Sequence, residues 1–181
     1  FDTKDGKTEI LHRRIGRNEL SAVQACLAYV DAQKDYAGMI GRKGGVAEYA
    51  RQFLSDPGKR NGLYWESREG EEPSPLGVFM ARARWQHSLL EPPAGKPVPY
   101  HGYFYKILTA QGKHAPGGAY NYIVDDRMIG GFALAAWPAQ YGVTGVMTFI
   151  VNQDGVVYEK DLGRVSGKAV YHMKAFNPDD S

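Results

Sequence analysis

The stretch Asn18-Glu19-Leu20-Ser21-Ala22-Val23-Gln24-Ala25-Cys26-Leu27-Ala28-Tyr29-Val30 decides how this chain folds. Leu20, Val23, Leu27 and Val30 recur at three- and four-residue spacing, so one α-helix carries them on one face. Asn18 or Ser21 can cap its start, and Ser21 with Gln24 fits a capping box. Gly38, Gly41, Gly44 and Gly45 close it. The pattern predicts a helix from about Asn18 to Tyr36, with the Leu20–Val30 stripe turned to the core.

Upstream, residues 1–14 read as a polar lead-in. Downstream, Val46 to Leu54 reads as a short second helix, with Tyr49, Phe53 and Leu54 apolar. Ser55-Asp56-Pro57-Gly58 is a turn by composition. Asn61 to Trp65 reads as a short extended piece, and Glu69 to Pro73 as an acidic loop. Ser74-Pro75 pairs a cap with proline at the first helical position, which predicts a third helix to about His87. Pro92, Pro93, Pro97 and Pro99 exclude regular structure before Tyr100.

From Tyr100 the period changes to two. Tyr103, Tyr105 and Ile107 alternate with Phe104, Lys106 and Leu108. Further strands are expected at Tyr120–Val124, Met128–Ala136, Gly145–Val151 and Val156–Glu159. Asp154-Gly155 is the strongest hairpin signal. A last helix is expected near Ser166 to Phe176. Helices first and strands afterwards indicate an α+β fold. The expected architecture is a set of N-terminal amphipathic helices packed on a C-terminal antiparallel sheet of about four strands. Residues 15–181 then form one domain.

Composition bounds the function. The 181 residues are 43% hydrophobic and 23% charged, ordinary values for a globular domain. A net charge of +2 is too mild for a nucleic-acid partner, which needs a concentrated basic patch. His12-Arg13-Arg14-Ile15-Gly16-Arg17 is the densest basic run, and it is short. No stretch approaches the ~20 apolar residues of a membrane span. One cysteine, Cys26, excludes an intrachain disulfide.

Chemistry-bearing motifs are sparse. The five histidines lack the i, i+4 spacing of a helical zinc site. Neither Gly-x-Ser-x-Gly, nor a phosphate loop, nor the Rossmann glycine spacing occurs. No cofactor and no metal are expected. His101 stands beside Tyr103 at a strand start, as a candidate or as a structural histidine. Trp137-Pro138-Ala139-Gln140-Tyr141-Gly142-Val143-Thr144-Gly145 is a conspicuous aromatic loop. Trp137, Tyr141 and Trp65 can form a platform for a sugar or a peptide, or can cover the end of the sheet. The candidate binding residues are Trp65, His101, Tyr103, Trp137 and Tyr141.

Several segments together carry a family resemblance. They are Ile15 to Ala25, Tyr29 to Gln33, Pro57-Gly58-Lys59 with Gly62 to Trp65, and Pro99 to Tyr103. The longest runs from Met128 through Trp137-Pro138 and Tyr141 to Phe149, then from Asp154 to Gly163. They resemble the bacterial family catalogued as domain of unknown function 2950. That resemblance implies an exported protein, periplasmic or secreted, made with a signal peptide and a further N-terminal region. Phe1-Asp2-Thr3 then looks like the end of that region. Gly41-Arg42-Lys43-Gly44-Gly45 replaces the acidic Asp-Gly-rich segment of many relatives, which argues against a calcium site there. The element order is also similar to the globular part of type IV pilins and pseudopilins.

The functional expectation is a non-catalytic binding or assembly module of the cell envelope. Its expected partner is the N-terminal region of its own precursor or another envelope protein. The alternative is a periplasmic hydrolase whose site, for example His101 with Asp125 or Asp126, forms only in the fold.

Overall fold

A computed structural model describes residues 3–41, 46–76 and 99–179. The third helix predicted from Ser74 falls almost entirely outside these residues. The chain opens with α1, Thr3–Gly41. This helix is about 58 Å long at 1.5 Å per residue. It begins well before Asn18, so residues 3–14 are its first turns and not an irregular lead-in.

The main sheet comprises β1 (Tyr103–Leu108), β6 (Ala133–Pro138), β7 (Thr148–Asn152) and β8 (Val157–Lys160), hydrogen-bonded in the order β1-β6-β7-β8. All three pairings are antiparallel. Between β1 and β6 lie β2 (Ala110–Gln111), β3 (Tyr120–Asn121), β4 (Ile123–Val124) and β5 (Arg127–Met128). After β8 come a 3-10 turn at Gly163–Val165, α2 (Ser166–His172) and β9 (Ala175–Phe176). Strand β9 pairs parallel with β2, so the predicted last helix stops at His172 and its end becomes a strand.

Period-two alternation sorts the sheet's two faces. Tyr105, Ala136 and Phe149 share one row across β1, β6 and β7, as do Ile107, Leu134 and Val151. This face meets α1. Lys106, Ala135 and Ile150 point the other way, toward α2. Ala133 to Ala136 are buried throughout, as a central strand covered on both faces requires.

The helix places a different stripe on the sheet from the one its large residues predict. Leu20 is 61% exposed and Leu27 41%, whereas Ala22, Cys26, Tyr29, Gln33 and Tyr36 are buried. Val23 is half-buried and Val30 buried at the margin of the contact. Alanine and cysteine let the helix axis approach the sheet closely, and the two tyrosines fill the space further along.

The predicted helix over 46–54 is absent. Tyr49 bridges Met128 antiparallel, and Leu54 bridges Tyr64 in parallel. Its polar backbone is satisfied from α1. Gln33 Nε2 donates to Ala50 O at 2.8 Å, and Ala50 N donates to Gln33 Oε1 at 2.8 Å. A buried side-chain amide thus acts as one rung of a strand ladder.

Lysine 106 closes the opposite face. Its Nζ donates to the carbonyls of Val170, Tyr171 and Met173 at 3.2, 2.6 and 2.7 Å, capping the C-terminal end of α2. Burial, and then the nearby Lys174, lower the ammonium's pKa. Lys106→Met keeps the alkyl packing and removes three charge-assisted bonds. We expect about 1–3 kcal/mol of destabilisation, read as a lower urea midpoint at unchanged m.

Candidate functional site

Asn18, Tyr103, Trp137 and the 140–147 loop meet at one end of the main sheet. Tyr100 and Tyr103 exchange backbone bonds at 2.9 and 3.0 Å across a two-residue turn, His101-Gly102. Both turn residues have positive φ, 48° and 78°. That is the geometry of a tight primed hairpin turn. The turn seats Gly102 beneath α1, where an added Cβ would lie 2.7 Å from Asn18 Nδ2 and 2.9 Å from Thr144 Cβ. Asn18 Nδ2 donates to Thr144 O at 2.8 Å. Glu19 Oε1 accepts from Val146 N and Met147 N at 2.8 and 3.1 Å. The Tyr103 hydroxyl donates to Met147 O at 2.9 Å.

The loop also holds itself together. Thr144 Oγ1 accepts from Gln140 N at 3.0 Å and donates to Gln140 O at 3.2 Å. Gly142 N donates to Gly145 O at 2.8 Å. The Tyr141 hydroxyl donates to Asp161 Oδ2 at 3.0 Å, and the other Asp161 oxygen accepts from Gly163 N at 2.7 Å. Trp137 packs on Phe104, with ring centroids 5.7 Å apart, and lies over Gly167 of α2.

Each predicted residue now has a place. Tyr103 is fully buried, and burial, with Glu19 next, pushes its phenol well above the ordinary value. His101 is exposed at the turn, its ring against Tyr100 at 4.2 Å. Trp137 and Tyr141 flank the loop. Trp65 lies elsewhere, in a cleft of about 1060 Å³ that includes neither Trp137 nor Tyr141. Its indole Nε1 donates to Glu72 O at 3.3 Å, and the Arg60 guanidinium sits 5.3 Å above the ring. Arg60 also pairs with Glu71 at 3.5 Å. Leu54, Tyr64 and Arg68 line the same cleft.

Asn18, Glu19 and Thr144 are missing from the sequence-derived candidates. Polar residues at a helix start and in a loop read as caps and turns, and only the fold shows that they clasp one another. Among the described residues, His101 makes no hydrogen bond to Asp125 or Asp126, and His87 lies outside them. Asp126 is bound to Arg51 at 2.6 Å in the β4–β5 turn. Among the described residues, no histidine bonds a carboxylate, and His12, His101, His114 and His172 are all exposed. No group of three His, Cys, Asp or Glu that could hold a metal occurs among the described residues.

Those clasping segments are the ones that carry the family resemblance, and a family model covers the same chain. The family described as "Protein of unknown function (DUF2950)" matches residues 1–181. This chain belongs to that family. No curated protein and no solved structure matches it, and the expected likeness to pilin headpieces finds no support from a solved structure. As a DUF2950 chain, it uses its signature segments to fasten α1, the Tyr100–Tyr103 hairpin and the 140–147 loop. Gly102→Ala should loosen that fastening, since it adds a strained φ and a side-chain clash together. We expect a loss of about 2–4 kcal/mol by thermal melting, with His101→Asn within about 0.5 kcal/mol because asparagine tolerates the left-handed region.

Proposed function

We propose that this chain is a non-catalytic binding or assembly module of the bacterial cell envelope. One observation carries the reading: the groups at the signature cluster that could do chemistry are already engaged in holding the fold. Tyr103 and Glu19 are occupied by the backbone of the 146–147 segment, and Tyr141 by Asp161. A general base or nucleophile needs a free lone pair and access to a reacting atom. His101 has access, but among the described residues no carboxylate bonds it. The Trp65 cleft, with Arg60 stacked on the indole, offers a recognition surface of mixed polar and aromatic character. No helix among the described residues is long and apolar enough to cross a membrane. An envelope address for this module therefore rests on the export signal that family membership implies.

The test has two parts. Epitope-tagged precursor expressed in its native host is fractionated, and the purified chain is assayed against chromogenic ester, glycoside and peptide substrates. The reading expects the tag in the envelope or medium and no turnover above buffer. Cytoplasmic recovery, or turnover abolished by His101→Ala, overturns it.

A further inference from the structure

Helix α1 has an apolar stripe that is exposed and that no other described element packs on. Leu20 and Leu27 are joined on that side by Ile10, 69% exposed. At 100° per residue, this stripe lies on the side of α1 opposite Ala22, Cys26, Tyr29 and Gln33. Read as a heptad, the exposed seam runs Ile10, Arg13, Arg17, Leu20, Gln24, Leu27, with positions alternating by three and four residues. It is about 26 Å long. Exposed leucines are common singly, but Leu20 and Leu27 stand seven residues apart on one face of a long helix, with Ile10 on the same side, which is the spacing of a helical seam with polar positions between.

Charge selects the occupant. Arg13, Arg14 and Arg17 are exposed on or beside the seam's first half. Arg13 pairs with Glu9 at 2.7 Å, whereas Arg14 and Arg17 have no ion pair among the described residues. A second copy of α1 would bring its own arginines to the same half or leave them opposite Leu20 and Gln24. An anionic bilayer needs a broad apolar face to sink into, commonly with aromatic residues, and this face is narrow and interrupted by arginines. A helix with leucines at its seam and glutamates beside them satisfies both features.

We propose that the outer face of α1 docks an acidic amphipathic helix of a partner protein, with apolar contacts at Ile10, Leu20 and Leu27 and ion pairs at Arg14 and Arg17. This names a partner for the assembly reading above, and rests on it. The probe is a synthetic three-heptad peptide with leucine at the seam and glutamate at the flanking positions, fluorescently labelled. Lysine replaces glutamate in its control. Binding to the full chain is followed by anisotropy at about 0.1 M salt, where the Debye length is about 10 Å, and again at about 1 M. The acidic peptide should bind and the basic one should not. Leu20→Ser with Leu27→Ser, and separately Arg14→Gln with Arg17→Gln, should each weaken binding about tenfold or more. Circular dichroism checks that the variants remain folded, since all four positions are exposed.

Equal binding of both peptides overturns the proposal, as does binding that survives the leucine changes. Leucine-dependent dimerisation of the free chain in sedimentation equilibrium, or leucine-dependent binding to phosphatidylglycerol vesicles in place of the acidic peptide, also overturns it in favour of that other occupant. Failure here leaves the fractionation and turnover results untouched, so the two readings fail separately.

Discussion

Replacing Gln33 by Leu should cost this fold more than replacing any exposed leucine of α1. Gln33 is fully buried about two turns before the end of α1, between Tyr29 and the Ala50 segment. Its amide meets both backbone groups of Ala50, and its Nε2 also donates to the Tyr29 hydroxyl at 3.0 Å. That hydroxyl in turn donates to Ala133 O at 3.3 Å. Leucine matches the volume but leaves the N–H and C=O of Ala50 without partners. Each unsatisfied buried group costs about 1–3 kcal/mol. We expect a total of about 3–5 kcal/mol, and a melting temperature lower by roughly 10 °C for a chain of this size. Gln33→Glu should be at least as damaging, because a carboxylate has no donor for Ala50 O and is charged when buried. Leu20→Ser and Leu27→Ser, at exposed positions, should change stability by less than about 1 kcal/mol. Thermal unfolding of the four variants checks the order. If the leucine changes prove the costlier ones, the helix faces are assigned the wrong way round.

That comparison shows what was legible in the sequence and what was not. A helix through Asn18–Tyr36 was legible because its apolar residues keep helical spacing. Which side it buries was not, since α1 carries two stripes and the leucines lie on the outer one while small, polar and tyrosine residues form the inner one. The inner stripe includes Ala22, Cys26 and Gln33, whose burial depends on a sheet at least 70 residues further along the chain and, for Gln33, on the Ala50 segment. Strand β1 was legible from alternation, β7 as an apolar run, and the β7–β8 hairpin from Asp154-Gly155, where Gly155 has a φ of 75° and donates to Asn152 O at 3.0 Å. Residues 46–54 were misread because a short apolar run has no decisive period. Their extended form is set by Gln33 and Met128, both remote in sequence. The candidate residues divide in the same way. Tyr103 and Trp137 stand out by type, but a sequence cannot distinguish an aromatic that binds from one that packs. Glu19 gave no signal of its own.

Alkali should unfold this protein steeply, and the steepness should be traceable to individual side chains. Beneath α1, Cys26, Tyr29 and Tyr105 are almost wholly buried. Burial pushes the Cys26 thiol from 9.0 up to about 12. Burial likewise raises the Tyr29 phenol well above 10.0, opposed by its bond from Gln33, and raises Tyr105, with Cys26 adding to it. Below about pH 8 all three are neutral in both states, so stability does not depend on their ionisation. Above their ordinary values the unfolded chain releases protons that the native chain retains. The native state then binds more protons, and stability falls as pH rises. Each group contributes up to about 1.4 kcal/mol per pH unit, so these three alone remove up to about 4 kcal/mol per unit between about pH 11 and 12, where Cys26 itself begins to ionise in the fold. Tyr103 and Tyr122, also raised by burial, steepen the fall, which is large against a typical stability of about 5–15 kcal/mol. Tyr105→Phe isolates one member. Its hydroxyl is buried with no hydrogen-bond partner among the described residues, so phenylalanine should stabilise the fold by about 1 kcal/mol at pH 7. The same change should reduce the alkaline slope by the share of one group, about 1.4 kcal/mol per pH unit, and move the midpoint upward. Urea unfolding of the parent and Tyr105→Phe between pH 7 and 11 measures both effects. A parent whose stability is flat to pH 11, or a phenylalanine variant that is weaker at pH 7, would mean that water or another group reaches these side chains and that the layer beneath α1 is not dry.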